Sequence, residues 1–189
     1  MKKIFLLIIG PVLLLIDLYF IFTQRKLVSL RERVSNSLSQ ISVQIKSRWD
    51  VLMEIANAVS SYSAYESKTL KDMIEKRSIK ISGSLEADRE EKALNSALKN
   101  VFALAESYPD LKSEGLFQND IGSINDYENK VRMSRMVYND TVTRYNELVK
   151  FFPSSLIAGI LNYKPLEYFD QNVTLEMPHL DFGRAKDEK

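Results

Sequence analysis

With 189 residues, 45% of them hydrophobic and 27% charged, the chain has the makeup of one folded domain plus a short extra segment. A net charge of +1 gives no field to gather nucleic acid, and the absence of cysteine excludes disulfides, thiolate metal sites and a lipidated cysteine anchor. Glycine and proline are few, so helix is expected from end to end.

The first element is the apolar run IFLLIIGPVLLLIDLYFIF, residues 4–22, which carries one charge, Asp17. As a helix it measures about 28 Å, close to the thickness of a hydrocarbon core. Tyr19, Phe20 and Phe22 gather at its downstream end, as aromatic residues do at a lipid–water interface. A cleaved signal peptide is disfavoured, because TQRKLVSLRER follows where small residues would be needed. The expectation is a single-pass anchor over residues 1–25, with membrane lipid as its partner through residues 4–22. Asp17 lies near enough to the end to snorkel, and pairing within a homo-oligomer of anchors is the other option. Arg25, Lys26, Arg31 and Arg33 outnumber Lys2 and Lys3, which leans toward the cell (inner) membrane with a cytoplasmic body.

Residues 26–169 read as that body. Leu27, Leu30, Val34, Leu38, Ile41, Ile45, Trp49, Leu52, Ile55, Val59 and Tyr62 step by three or four, the stripe of one long amphipathic helix continuous with the apolar run. The serines of 60–67 predict a bend, followed by a short helix with Leu70, Met73, Ile74, Arg77 and Ile81 on one face. Asp88 and Glu91 suggest a capping box opening the next helix, which would bury Leu94, Ala97, Leu98, Val101, Phe102 and Ala105 until Pro109 ends it. After a loop through PDLKSEG, a last long helix is expected at 116–152. Its stripe runs Phe117, Ile121, Ile124, Glu128, Val131, Arg135, Tyr138, Val142, Tyr145, Val149 and Phe152. Ser154 or Ser155 can cap a short helix through Ile160, and Tyr163, Leu166, Tyr168 and Phe169 can hook over the bundle end. Residues 170–189 are polar and expected to be loose. The fold class is therefore all-α: an N-terminal transmembrane helix followed by an elongated antiparallel four-helix-bundle-like domain.

Within the last helix, Tyr138-Asn139 returns as Tyr145-Asn146 after seven residues, two helical turns, so both pairs face one way. Around them, YENKVRMSRMVYNDTVTRYNELVKFFPSSLIAGILNYKPLEYF (127–169) resembles the LemA family, as do AESYPDLKSEGLF (105–117) and KSRWDVLMEIANAVSSYSAYE (46–66). The last of these departs from a family pattern similar to R-R-x-D-L-I-P-N-L-V. Ser47, Met53 and Glu54 replace an arginine, the proline and the asparagine, while Arg48, Asp50 and Glu66 match. Tyr65 stands where many members carry histidine. The resemblance implies a membrane-anchored protein with a bundle-like body; the family has no well-defined biochemical role, so it bears on architecture more than on function.

Chemistry has little to work with. A di-iron bundle site needs Glu-x-x-His on two helices, and the one histidine, His179, is in the tail. No phosphate loop, nucleophile elbow or zinc spacing occurs, so no cofactor, no metal site and no enzymatic activity are expected. Arg48, Asp50, Glu66, Glu128, Arg135, Asn139 and Asn146 are read as a structural polar network that sets helix register, with Tyr138 and Tyr145 filling the bundle seam. The expected function is a non-enzymatic scaffold or adaptor whose protein partners are unknown. The alternative is a membrane-bound sensor or small-ligand or ion-binding protein that uses the polar interior of the bundle.

Overall fold

The computed structural model describes residues 2–75, 81–110 and 115–169, with side chains from residue 9 onward. Its elements are α1 (Lys2–Val59), α2 (Ala64–Glu75), α3 (Ser84–Ser107), α4 (Gly115–Lys150) and α5 (Ser154–Ile160), and among the described residues there is no strand. Arg77, most of the loop expected at 109–115, and the tail 170–189 with His179 lie outside the described residues.

The N-terminal transmembrane helix expected at residues 4–22 receives no support from the fold itself. Among the described residues no helix is long and apolar enough to cross a membrane, and the side chains of residues 4–8 lie outside that description. What is present is a helix that runs on without a break from Lys2 into the amphipathic stripe.

The chain forms two compact units. The first takes residues 1–41 and 132–169. On α1 it buries Thr23, Leu27, Leu30, Val34, Ser37 and Ile41, in alternating steps of four and three. On α4 it buries Tyr138, Thr141, Val142, Tyr145 and Asn146. Leu27, Leu30, Tyr145 and Ala158 of α5 make one buried cluster, against which Leu148, Val149, Tyr163 and Leu166 pack. Phe152, expected as the last member of the α4 stripe, is instead 79% exposed. The helix stops at Lys150 ahead of Pro153, whose missing N–H and fixed φ end the regular geometry, so the ring leaves the stripe.

The chain leaves α5 through a left-handed residue. Asn162 takes a φ of 56°, the conformation asparagine tolerates best among residues with a side chain. Its N–H donates to Gly159 O at 3.1 Å, and the Tyr163 N–H donates to Ala158 O at 2.9 Å. These are the two bonds of a Schellman ending, with asparagine in the place glycine usually holds. From there residues 163–169 run on without helix.

The second unit is described over residues 42–75, 81–110 and 115–131. Ile45, Trp49, Leu52, Ile55 and Val59 of α1, Leu70 and Ile74 of α2, Leu94, Leu98, Val101 and Phe102 of α3, and Phe117, Ile121, Ile124 and Val131 of α4 form its core. Tyr62 does not close the α1 stripe as expected; it is 36% exposed, because α1 ends at Val59 and residues 60–62 turn. The serines there do bend the chain. Ser63 Oγ accepts the Glu66 N–H at 3.3 Å, capping α2, and Ser67 Oγ donates to Ala56 O at 2.7 Å inside the core.

The expected cap at Asp88 is a correction. Helix α3 starts four residues earlier, at Ser84, with Gly83 before it and no side-chain cap on that residue. Glu86 reaches back to accept the Ser82 N–H at 2.6 Å, and Glu91 is buried in the helix interior.

Candidate functional site

Two polar constructions stand out, one in each unit. In the second unit Arg48 of α1 is fully buried. Its Nη2 donates to Asn95 Oδ1 of α3 at 3.1 Å and to Glu128 Oε2 of α4 at 3.5 Å. Its Nη1 lies 3.6 Å from Glu91 Oε1 of α3. The Glu91 side chain is 3% exposed and that of Glu128 is 22% exposed. One guanidinium therefore ties α1, α3 and α4 together. An isolated charge could not be buried there, so three helices must arrive in one register to satisfy it.

In the first unit the Tyr-Asn pairs of α4 grip the segment 163–169. Asn146 Oδ1 accepts the Leu166 N–H at 2.8 Å, and its Nδ2 donates to Leu166 O at 2.9 Å. Asn139 does the same with Phe169, at 2.9 Å from its N–H and 3.1 Å to its O. Each side-chain amide so replaces the neighbour that a strand would supply. Beside them Tyr145 Oη donates to Lys164 O at 3.0 Å and Tyr138 Oη to Glu167 O at 3.2 Å. A step of seven along the helix matches a step of three along the segment, in opposite directions. The lengths agree, since seven helical residues and three extended ones both span about 10 Å. Rings close the contact: Phe169 meets Tyr138 edge-on at 4.8 Å with the Arg135 guanidinium 4.8 Å from its centroid, and Tyr163 meets Tyr145 at 6.4 Å.

Residues 37–182 match the LemA family, which is well over half of the chain. The chain belongs to the LemA family. It is similar to Protein LemA of Metamycoplasma hominis, 25% identical over 152 residues that cover 76% of this chain and 68% of that one. It is also similar to Magnetosome protein MamQ of Magnetospirillum gryphiswaldense, 26% identical over 83 residues. Those residues are 44% of this chain and only 30% of MamQ, so the chain spans less than a third of that relative's length. Both polar constructions lie inside the span that matches the LemA family.

The seven residues read from the sequence as one network are divided between the units. Arg48 and Glu128 meet, while Asp50 is exposed on α1. Glu66 lines an open groove of about 600 Å³ between α2 and α3, with Thr69, Asn100, Ser107 and Tyr108. Arg135, Asn139 and Asn146 serve the segment 163–169. Sequence reasoning missed Glu91 and Asn95 as members. Glu91 lies on the stripe Ala87, Glu91, Leu94, Leu98, the same charged-residue-on-an-apolar-face signal that marks Glu128. Among the described residues no three histidine, cysteine or carboxylate side chains are grouped to hold a metal ion.

The two tyrosines give this LemA-family chain a pH signature. Burial pushes both phenols above their ordinary value of 10.0; the Glu167 carboxylate adds to this at Tyr138, while Arg31 opposes it at Tyr145. Well below pH 10 both folded and unfolded chains keep the protons and the contribution is whole. Above it the unfolded chain ionises first, and the stability is lost as pH climbs through the raised folded values. The double variant Tyr138→Phe/Tyr145→Phe should lose about 1 kcal/mol per hydrogen bond at neutral pH yet fall less steeply in alkali. Urea midpoints taken from about pH 8 to 11 check both signs; parallel curves for variant and parent would contradict them.

Proposed function

We propose that the chain is a single-pass membrane protein whose helical body is a non-enzymatic scaffold or adaptor at the bilayer. One observation carries the anchor. Val12, Leu13, Leu14, Leu15, Ile16 and Leu18 of α1 are all exposed, so the helix is apolar around its circumference there except at Asp17. Such a helix is stable only where its surroundings are also apolar. From Thr23 onward only one stripe of α1 is buried. The excess of Arg25, Lys26, Arg31 and Arg33 favours the body on the cytoplasmic side.

The scaffold role rests on what the polar residues do: they hold helices and a segment in register and converge on no reacting position. The MamQ relative is named a magnetosome protein, which points to work within an assembled structure. The anchor predicts that the full chain stays in the membrane pellet after alkaline carbonate extraction, and that deleting residues 4–22 releases it. A cysteine placed at Glu106 in this cysteine-free chain should resist impermeant maleimide in intact cells and react once they are opened. Crosslinking in intact cells should recover a protein partner; a strict monomer with none would overturn the scaffold reading. A second reading, binding of a small ligand or ion, draws on the Glu66 groove, and a reproducible thermal shift lost in Glu66→Gln would favour it.

A further inference from the structure

Resting on the membrane reading above, we infer that α5 and the turn before it form a second membrane contact. Phe151, Phe152, Leu156 and Ile160 enter the headgroup layer of a bilayer that contains anionic lipid. Phe151 is 63%, Phe152 79%, Leu156 62% and Ile160 75% exposed. Within α5, Leu156 and Ile160 are four residues apart and share one side, while Ile157 and Ala158 are buried; Phe151 and Phe152 are exposed in the turn before the helix. Four large apolar side chains side by side on a small unit are not left to water without cause.

Position says what covers them. Ala158 of α5 packs with Leu27 and Leu30 of α1. Those residues follow the end of the apolar run, Phe22, by about 7 and 12 Å along the helix. Burial on α1 begins lower still, at Thr23, which is 3% exposed. The headgroup region adds about 5–8 Å beyond the hydrocarbon on each side, so α5 lies at the outer edge of that layer, within reach of its large side chains. Interfacial elements sink an apolar face to a similar depth.

Charge points the same way. Residues 18–31 and 148–166 hold Arg25, Lys26, Arg31, Lys150 and Lys164 and no acidic residue, although the chain as a whole is nearly balanced. Basic side chains around an apolar face are the complement of an anionic lipid surface. A protein partner for this face would have to dock in the layer that the anchor already fills with lipid.

The test uses the full chain, free of native cysteine, in vesicles of phosphatidylcholine and phosphatidylglycerol. Separate variants Ile160→Cys, Leu14→Cys and Lys99→Cys each carry an environment-sensitive nitrobenzoxadiazole probe. The expected result is blue-shifted emission, quenching by doxyl-labelled lipid and loss of iodide access at 160 and at 14, with none of these at 99. Quenching at 160 should weaken when phosphatidylglycerol is omitted. Quenching at 14 with a water-like probe at 160 overturns the second contact and leaves the anchor standing. Absence of lipid quenching at both positions overturns the anchor and the contact together. A blue shift at 160 that grows with protein density and ignores doxyl lipid assigns the face to a second copy of the chain, and overturns the lipid contact.

Discussion

Replacing Arg48 with methionine should cost about 3–5 kcal/mol, the largest loss expected from any single change outside the anchor. Arg48 is fully buried and faces Glu91, whose side chain is 3% exposed, at 3.6 Å. Removing the cation leaves carboxylates that were desolvated on its account, and it also drops the bond to Asn95. Methionine fills most of the volume, so the loss is electrostatic and not a cavity effect. The double variant Arg48→Met/Glu91→Leu should recover most of it, because an apolar replacement of a buried ion pair is often close to neutral. Glu128→Gln should cost less than Glu91→Gln, since its side chain is 22% exposed and partly solvated. Urea unfolding of the detergent-solubilised full chain measures all of these, with Trp49, the only tryptophan, as the adjacent fluorophore. A single variant within about 0.5 kcal/mol of the parent, or a double variant whose losses simply add, would refute the account.

Asn146→Ala should lower stability by about 2–3 kcal/mol, and by a different mechanism. The substitution removes no charge. It strands the N–H and C=O of Leu166, which have Asn146 as their partner at 2.8 and 2.9 Å. Asn146→Asp keeps the acceptor but sets a carboxylate against the Leu166 carbonyl, so it should be no better tolerated than alanine. Asn139→Ala should cost less once Asn146 is already gone, because both amides hold the same segment and it is released only once. Amide hydrogen exchange gives the local readout: the Leu166 and Phe169 N–H groups should both lose protection in Asn146→Ala. Retained protection at Leu166 would mean that the segment is held by something other than the ladder of amides.

The helices themselves are largely legible in the sequence. The stripes on α1 and α4 can be read because burial imposes a period, and Leu27 to Val59 and Phe117 to Tyr145 keep it. Their ends cannot, because Tyr62 and Phe152 fit the spacing after the helices have stopped. Caps are ambiguous for a related reason. Ser63 with Glu66 fits the capping spacing as well as Asp88 with Glu91 does, but α3 has already begun at Ser84, so Asp88 and Glu91 lie inside it. The Tyr-Asn repeat is legible as two pairs that face one way, but not in what they face. Its spacing predicts a helix as the neighbour; the partner is the backbone of 163–169, and backbone groups leave no trace in side-chain pattern.

The grip of α4 on 163–169 makes two stretches of chain into the two scales of a vernier. Asn139 and Asn146 read Phe169 and Leu166 through main-chain atoms, so the grip itself depends on the count of residues between them, while the buried Phe169 ring and the packed Leu166 side chain answer separately to the core. Adding or deleting one residue between 166 and 169 would move an amide off its mark by a full peptide, with no side-chain change able to restore it. Growth or loss at this place is tolerated only in paired quanta, seven residues of helix with three of segment. Length is constrained here as tightly as composition.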